Sequence, residues 1–329
     1  MTDRLRQSDA EPETPGGPVI PGILCNPAGG RIKNHLEATR QALKNLPASM
    51  YLEAATATEI RDSIRLFSDS GLNLLILAGG DGTVHCALTH LFRLWEGELP
   101  AIAVIPGGTT NMTALDLGIS RRPLACIARL AAALAQPDTR YYTMRRVLRI
   151  EQGLDTKLFG MFFGCGLIPH GVKYFHQRVR QYGLTNEFAG GMVMLGYLFG
   201  FLLRPAGLPA IHLTLFMDGR SFEKHGCLAA FATTLDRLLL GIRPYRRLKK
   251  GSLFFTTIDN TMKSVWSTLI SMLTGNGGCN TNTCHLDHTE RLELLFDGDF
   301  IVDGELYNAQ RQSGPIIITG TAPLRFLVV

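Results

Sequence analysis

Through the first 140 residues, apolar runs alternate with stretches of helical period. Residues 19–25 (VIPGILC), 50–56 (MYLEAAT), 72–78 (LNLLILA) and 101–105 (AIAVI) are mostly apolar, which predicts strands covered on both faces. Helices are predicted between them. They run from about Ile32 to Leu46, over 59–68 with Ile60, Ile64 and Phe67 on one face, from after the GGDGT turn at 79–83 through Leu94, and again after Asn111. Such alternation builds a parallel sheet with helices on both sides. Past about residue 140 the pattern changes. MRRVLRIEQ (144–152), KLFGMFFGCG (157–166), AIHLTLFMDG (210–219), CLAAFATTL (227–235), SLFFTTID (252–259), RLELLF (291–296) and DFIVDGE (299–305) each predict strand structure, and Asp-Gly pairs at 218–219, 297–298 and 303–304 predict tight turns. The expectation is an α/β domain over 19–140, then a mostly antiparallel β domain with a few inserted helices from 141.

Three polar breaks fall where predicted parallel strands end: Asn26-Pro27-Ala28-Gly29-Gly30, Gly79-Gly80-Asp81-Gly82-Thr83 and Pro106-Gly107-Gly108-Thr109-Thr110-Asn111. Open α/β sheets bind ligands at that edge. A glycine turn into a helix exposes backbone N–H groups at the positive end of the helix dipole, which favours phosphate. Gly79, Gly80 and Gly82 let a phosphate approach without a Cβ in the way. Thr83 can cap the helix or bond a phosphate oxygen. Asp81 is the odd member, because a carboxylate repels phosphate unless a cation lies between. Mg²⁺ carried in with a nucleotide is the simplest such cation. A turn whose Asp bonds its own backbone is the plain alternative for one loop. Two such loops on one sheet edge favour a ligand. No Gly-Lys-Ser/Thr follows, so the loop is not a Walker A sequence, and it is not GxGxxG.

GGDGT at 79–83 followed by PGGTTN at 106–111 resembles the diacylglycerol kinase catalytic-domain family, which includes bacterial diacylglycerol and related lipid kinases, sphingosine kinases and ceramide kinases. Asn26-Pro27-Ala28-Gly29-Gly30 resembles its opening Asn-Pro-x-x-Gly loop, and Val302-Asp303-Gly304-Glu305 its late Asp-Gly-Glu signature. The four elements stand in the family's order across 19–329. NAD kinases and phosphofructokinases share GGDGT-like loops; PGGTTN with a late Asp-Gly-Glu is more specific.

The resemblance implies a Rossmann-like N-terminal α/β domain, a C-terminal β-sandwich domain for the lipid over 141–320, and ATP in the cleft between them. A last strand, about 321–329, returns to the first domain. ATP contacts map to Asn26, Pro27 and Gly30, to Gly79, Gly80, Asp81, Gly82 and Thr83, and to Thr109. A threonine after the second strand also maps there: Thr58 by its spacing to Asp62, or Thr56. Asp81 meets ATP-bound Mg²⁺ indirectly. Glu305 maps to the proton acceptor, since a primary hydroxyl is a poor nucleophile until a carboxylate takes its proton. The implied reaction is ATP-dependent phosphorylation of a lipid hydroxyl on diacylglycerol, a sphingoid base, ceramide or a related lipid. A soluble NAD kinase-like enzyme and a catalytically degenerate nucleotide- or lipid-binding protein are the alternatives. Without the resemblance, Val302–Glu305 reads as a hairpin turn with Asp303 as turn former. Three places depart from the family: His85 and Cys86 stand where Asn-Glu is usual, and Met112 where Asp is usual. Lys249-Lys250-Gly251 stands where bacterial members carry Asp-Asp-Gly at a structural Mg²⁺, which a lysine would repel.

Composition adds bounds. With 329 residues, 46% hydrophobic and 19% charged, the chain can fold around about two cores. A net charge of +5, from 33 basic and 28 acidic residues, is too small to imply nucleic acid. It suits phosphate or an anionic membrane surface. RPYRRLKK (243–250) would add about 1 kcal/mol per basic residue near such a surface. The expected partners are therefore a lipid substrate and a peripheral membrane surface, in the cytoplasm, with a homodimer as a further candidate. The scattered 7 cysteines fit a reducing compartment. Residues 188–203 carry no charge but fall short of the roughly 20 a spanning helix needs. They read as a buried helix or one facing membrane or acyl chain. Residues 1–18 are polar and Pro-rich and read as a disordered leader. Cys279, Cys284, His285 and His288 fit no common zinc spacing, and His170 and His176 read as structural.

Overall fold

A computed structural model of the protein describes residues 18–136, 140–154, 156–182, 210–217, 219–238, 241–248, 251–275 and 284–329. The leader at 1–17, the 188–203 segment, Lys249, Lys250, Cys279 and the side chains of His176, Cys284 and His285 lie outside the described residues.

Six strands form the first sheet, in the order β2 (Met50–Glu53), β1 (Pro21–Cys25), β3 (Leu74–Gly79), β4 (Ala101–Pro106), β17 (Leu324–Val328), β5 (Tyr141–Arg145). Neighbours pair in parallel from β2 through β17, and β5 is antiparallel to β17. Every residue of β1, β3 and β4 is buried, as expected for strands covered on both faces. The helices are α1 (Gly30–Asn34), α2 (Leu36–Lys44), α3 (Ala57–Asp69), α4 (Asp81–Leu94), α5 (Met112–Asp116) and α6 (Pro123–Ala135). The single helix expected over 32–46 breaks at His35, whose N–H bonds Ile32 O at 3.0 Å and closes the first turn early. In α3, Ile60, Ser63, Ile64 and Phe67 recur at three- and four-residue spacing and are buried. Thr56 caps that helix: its hydroxyl accepts from Glu59 N, and the Glu59 carboxylate accepts from Thr56 N at 3.0 Å.

Eleven described strands make the second sheet, in the order β15 (Glu305–Ala309), β14 (Gly298–Val302), β8 (Phe162–Gly166), β10 (Arg220–Thr233), β9 (Ile211–Met217), β13 (Arg291–Leu295), β16 (Ile316–Gly320), β6 (Leu148–Gln152), β7 (Thr156–Gly160), with β11 (Leu253–Asp259) on β10 and β12 (Cys284–Thr289) on β11. All pairs are antiparallel. Leu148 and Ile150 of β6 share one buried cluster with Phe163 of β8, Phe255 of β11 and Phe300 of β14. Strands far apart in the order therefore meet across a core, the packing of a sandwich. Helices α7 (Leu167–Tyr182) and α8 (Met262–Thr274) follow β8 and β11.

Two expected strands are cut in the structure. MRRVLRIEQ divides at Arg146: β5 stays in the first sheet and β6 enters the second. The crossover is held where Thr321 N donates to Val147 O at 2.9 Å and Val147 N to Thr321 Oγ1 at 3.1 Å. The first unit thus takes in 141–145 as well as β17, so its boundary falls after Arg145 rather than at 140. KLFGMFFGCG divides at Met161, because the amides of Met161 and Phe162 bond the Asp303 carboxylate.

Replacing Thr56 with Ala removes the cap acceptor and should lower unfolding stability by ~1 kcal/mol in urea titration.

Candidate active site

The three predicted loops are bonded to one another. After β1, Asn26 Oδ1 accepts from Ala28 N at 2.9 Å, and Asn26 Nδ2 reaches Thr83 Oγ1 in the second loop at 2.9 Å. Arg31 N donates to Gly107 O in the third loop at 2.9 Å, and Gly107 N donates to Gly79 O at 2.7 Å. Backbones touch where these loops meet. A Cβ on Gly108 would lie 2.6 Å from the Gly80 Cα, which no side-chain-bearing residue tolerates. Asn111 sits at φ 49° and folds its amide back onto Gly108 N at 2.8 Å. Pro27, Gly30 and Thr109 lie on the same edge at partly or fully exposed positions. Thr58 is exposed in the first turn of α3. The start of α3 borders α4, where Cys86 Sγ approaches Ala57 O at 3.9 Å.

Gly80 is the N-cap of α4 and Asp81 its first residue. The Asp81 carboxylate turns to the start of α5, accepting from backbone N–H groups of Met112, Thr113 and Asn111. Burial outweighs those bonds and raises its pKa to about 6. Met112, where the family carries Asp, contributes a backbone N–H there and buries its side chain.

Glu305 arrives from the second unit at the first position of β15. It is exposed, and its Oε1 occupies the space that a Cβ on Gly82 would need. Two residues further along the same strand face, Tyr307 donates its hydroxyl to His85 Nε2 at 2.7 Å. His85 Nδ1 lies 2.8 Å from Phe159 O. A carbonyl only accepts, so Nδ1 carries the proton and Nε2 the lone pair. Burial lowers the His85 pKa to about 4 and keeps the ring neutral. Thr89 Oγ1 exchanges two bonds with Phe159, donating to its O at 3.1 Å and accepting from its N at 3.0 Å. Phe92 stacks on the Phe159 ring with centroids 4.6 Å apart. Gly82, His85, Thr89 and Phe92 form one stripe of α4, and that stripe is its interface with the second unit.

Asp303, at φ 49° in the β14–β15 turn, is fully committed. Its carboxylate accepts from Met161 N at 2.9 Å and Phe162 N at 2.9 Å. Burial pushes its pKa well up, and the Asp81 and Glu305 charges push it further. Asp303 is therefore a splint for the β7–β8 bend. A second tie crosses between the units at Asp116, which accepts from Arg145 Nε at 2.8 Å and Arg237 N at 2.8 Å. Asp236 completes it 3.4 Å from Arg145.

The structure thus brings Asn26, Gly79, Gly80, Asp81, Gly82, Thr83 and Glu305 together. Sequence reasoning missed Tyr307, Phe159, Thr89 and the Asp116–Arg145 pair. The usable signal for Tyr307 was its place two residues after Glu305, on the same strand face. The residues fit a nucleotide with a divalent cation: backbone amides and glycines offer room and donors for phosphate, and the half-buried Asp81 offers carboxylate oxygens with no cationic side chain among the groups that shift it.

The class this defines is a two-lobed α/β-plus-β protein whose second lobe lays a carboxylate on a glycine loop of the first. Residues 22–139 match the diacylglycerol kinase catalytic domain. The "Diacylglycerol kinase" of Bacillus subtilis (strain 168) is 25% identical over 312 residues, covering 88% of this chain and 93% of that protein. A solved structure of a diacylglycerol kinase from Bacillus anthracis str. Sterne has a similar fold, with TM-score 0.67 and 17% identity over 94% of this chain and 97% of that one. Two more structures from that organism give 0.69 and 0.66. Residues 22–139 are thus similar to the diacylglycerol kinase catalytic-domain family, and the similarity to one diacylglycerol kinase extends over most of the chain.

The lowered His85 pKa has a signed consequence. The unfolded ring takes its proton near pH 6.5 and the folded one near 4. Stability from this group is therefore complete above 6.5 and lost as pH falls toward 4, by up to about 3 kcal/mol. Asp81, whose pKa is raised, works in the opposite sense between about 6 and 3.8. Comparing wild type with His85→Gln in urea at pH 7 and pH 5 isolates the histidine. The wild type should lose more stability on acidification than the variant.

Proposed function

We propose that the protein is an ATP-dependent lipid kinase, transferring the terminal phosphoryl group of ATP to the hydroxyl of diacylglycerol or a related lipid. The observation that carries this reading is the Glu305 carboxylate lying against Gly82, next to Asp81 in the loop built for phosphate. The family supports a phosphotransferase with an alcohol acceptor, with ATP as donor and typically a divalent metal.

In this reading Glu305 accepts the hydroxyl proton while the lipid oxygen forms its bond to phosphorus and ADP leaves with the bridging oxygen. Its exposure suits a group that must meet a substrate. Asp303, buried and bonded to two amides, fixes the turn from which Glu305 projects. Asn26, Pro27, Gly30, the 79–83 loop and Thr109 hold the nucleotide phosphates through backbone amides and short polar side chains, with Thr58 or Thr56 bordering them. Mg²⁺, when bound, neutralises phosphate charge, and Asp81 is the residue that faces it through the nucleotide. Tyr307 and His85 keep β15 in register with α4, so that Glu305 stays over Gly82.

Labelled ATP offered with a panel of diacylglycerol, sphingoid base, ceramide and NAD identifies the acceptor; label on NAD, or on nothing, overturns the reading. Glu305→Gln should lower kcat by about 10²–10⁴-fold while leaving the KM for ATP nearly unchanged. Gly82→Ala should displace the carboxylate and lower kcat in the same manner, with the fold retained by circular dichroism.

A further inference from the structure

Helix α8 is turned inside out. Its buried residues are Ser264, Val265, Thr268 and Ser271, three of them hydroxylic. Its outward face carries Trp266, Ile270 and Leu273, exposed by 41%, 59% and 62%. Spacings of four and three put those three side chains on one stripe. The inner hydroxyls are satisfied locally: Thr268 Oγ1 donates to Ser264 O at 2.8 Å, and Ser264 Oγ accepts from Asp259 N at 3.0 Å. Nothing inside the helix calls for the apolar stripe to face water.

The surroundings of the stripe are basic. Lys263, on its edge, is exposed. Gly275 ends the helix at φ 65°, and a Cβ there would lie 3.0 Å from Arg243 O and 3.2 Å from Arg246 Cβ. The exposed Arg243 and Arg246 therefore border the helix C-terminus. Residues 241–253 and 262–274 contain no Asp or Glu. An apolar stripe with an aromatic residue and a rim of cations is the composition of a helix lying in a membrane interface. A second copy docking face to face would oppose like charges, whereas an anionic headgroup layer pairs with them. The platform also connects to the site. Val265 shares a buried cluster with Leu167, Leu228 and Ala229, with Ile168 packed against it. Ile168 and Phe162 also pack on the main core, and Phe162 N bonds Asp303.

We propose that the Trp266–Ile270–Leu273 face of α8, with Arg243, Arg246 and Lys263, docks the protein on an anionic lipid bilayer. For its purpose this inference rests on the lipid kinase reading, but its test does not need catalysis. The full chain is sedimented with phosphatidylcholine vesicles with and without phosphatidylglycerol. Binding should be about tenfold or more tighter to the anionic vesicles. Ile270→Ser with Leu273→Ser should abolish that gain, and so should Arg243→Glu with Arg246→Glu. Both pairs should keep wild-type transfer to a water-dispersed short-chain acceptor. In a Trp95→Phe background, Trp266 emission should shift blue when anionic vesicles are added. Wild type failing to bind anionic vesicles, or either pair binding as wild type does, overturns the surface. So does a dimer that the Ile270→Ser, Leu273→Ser pair dissociates, or Trp266 emission already blue and unmoved by lipid, as if residues 183–209 covered the stripe. Vesicle binding with no phosphoryl transfer to any lipid would uphold the surface and overturn the reaction.

Discussion

One face of helix α4 holds the functional arrangement together. Its N-terminus is the Gly80–Thr83 turn, and the stripe of Gly82, His85, Thr89 and Phe92 is the seam with the second unit. The same helix therefore presents the glycine loop and receives the carboxylate opposite it. The match is metric as well as chemical. Residues 82 and 85 are one helical turn apart, about 4.5 Å of axial rise, and residues 305 and 307 are about 6.6 Å apart along a strand. A strand running beside a helix can engage both positions with side chains of different length. Glutamate reaches a glycine at one, and tyrosine meets histidine at the other.

Around His85 and Thr89 that seam is buried and polar, a combination that gives specificity of placement. A buried imidazole held by a carbonyl on one side and a phenol on the other has one allowed tautomer and one allowed position. Removing either partner leaves a buried polar atom unpaired, at a cost of about 1–3 kcal/mol. An apolar contact of similar area would tolerate sliding. At the end of α5, Asp116 accepts from Arg237 N and its partner Arg145 pairs with Asp236, a second fixed point between the units. Two polar anchors, at His85 and at Asp116, define the orientation of the lobes more sharply than their hydrophobic contact could.

The parallel sheet and its three loops were legible in the sequence because their signals are local. Continuous apolar runs and glycines at strand ends need no partner to be recognised. Glu305 was legible through its family signature alone. What stayed hidden is of another kind. His85 and Tyr307 are 222 positions apart, and Asp303 bonds an amide 142 positions away. No spacing rule joins such residues, and each looks ordinary in its own window. The cut at Met161 is the clearest case: KLFGMFFGCG is a good strand by pattern, and only a distant carboxylate diverts its amides. Departures from the family at 85 and 112 looked like losses in the sequence. In space, His85 gains a partner in Tyr307, and Met112 serves through its backbone.

Helix α8 shows the same limit from the opposite direction. A reader of periodicity would turn Trp266, Ile270 and Leu273 inward and leave Ser264, Thr268 and Ser271 to water. The fold does the reverse. It can do so because hydroxyls in a helix bond their own preceding carbonyls, so burying them leaves little polar debt. Small side chains on the inner face also let α8 sit close to β11 and the start of α7. What close packing places outside is then an apolar stripe of about the length of two turns, a surface that water alone does not favour. The physical demand of that exposed stripe, added to the cations beside it, is the ground for the proposed docking on lipid, independently of any residue in the glycine loops.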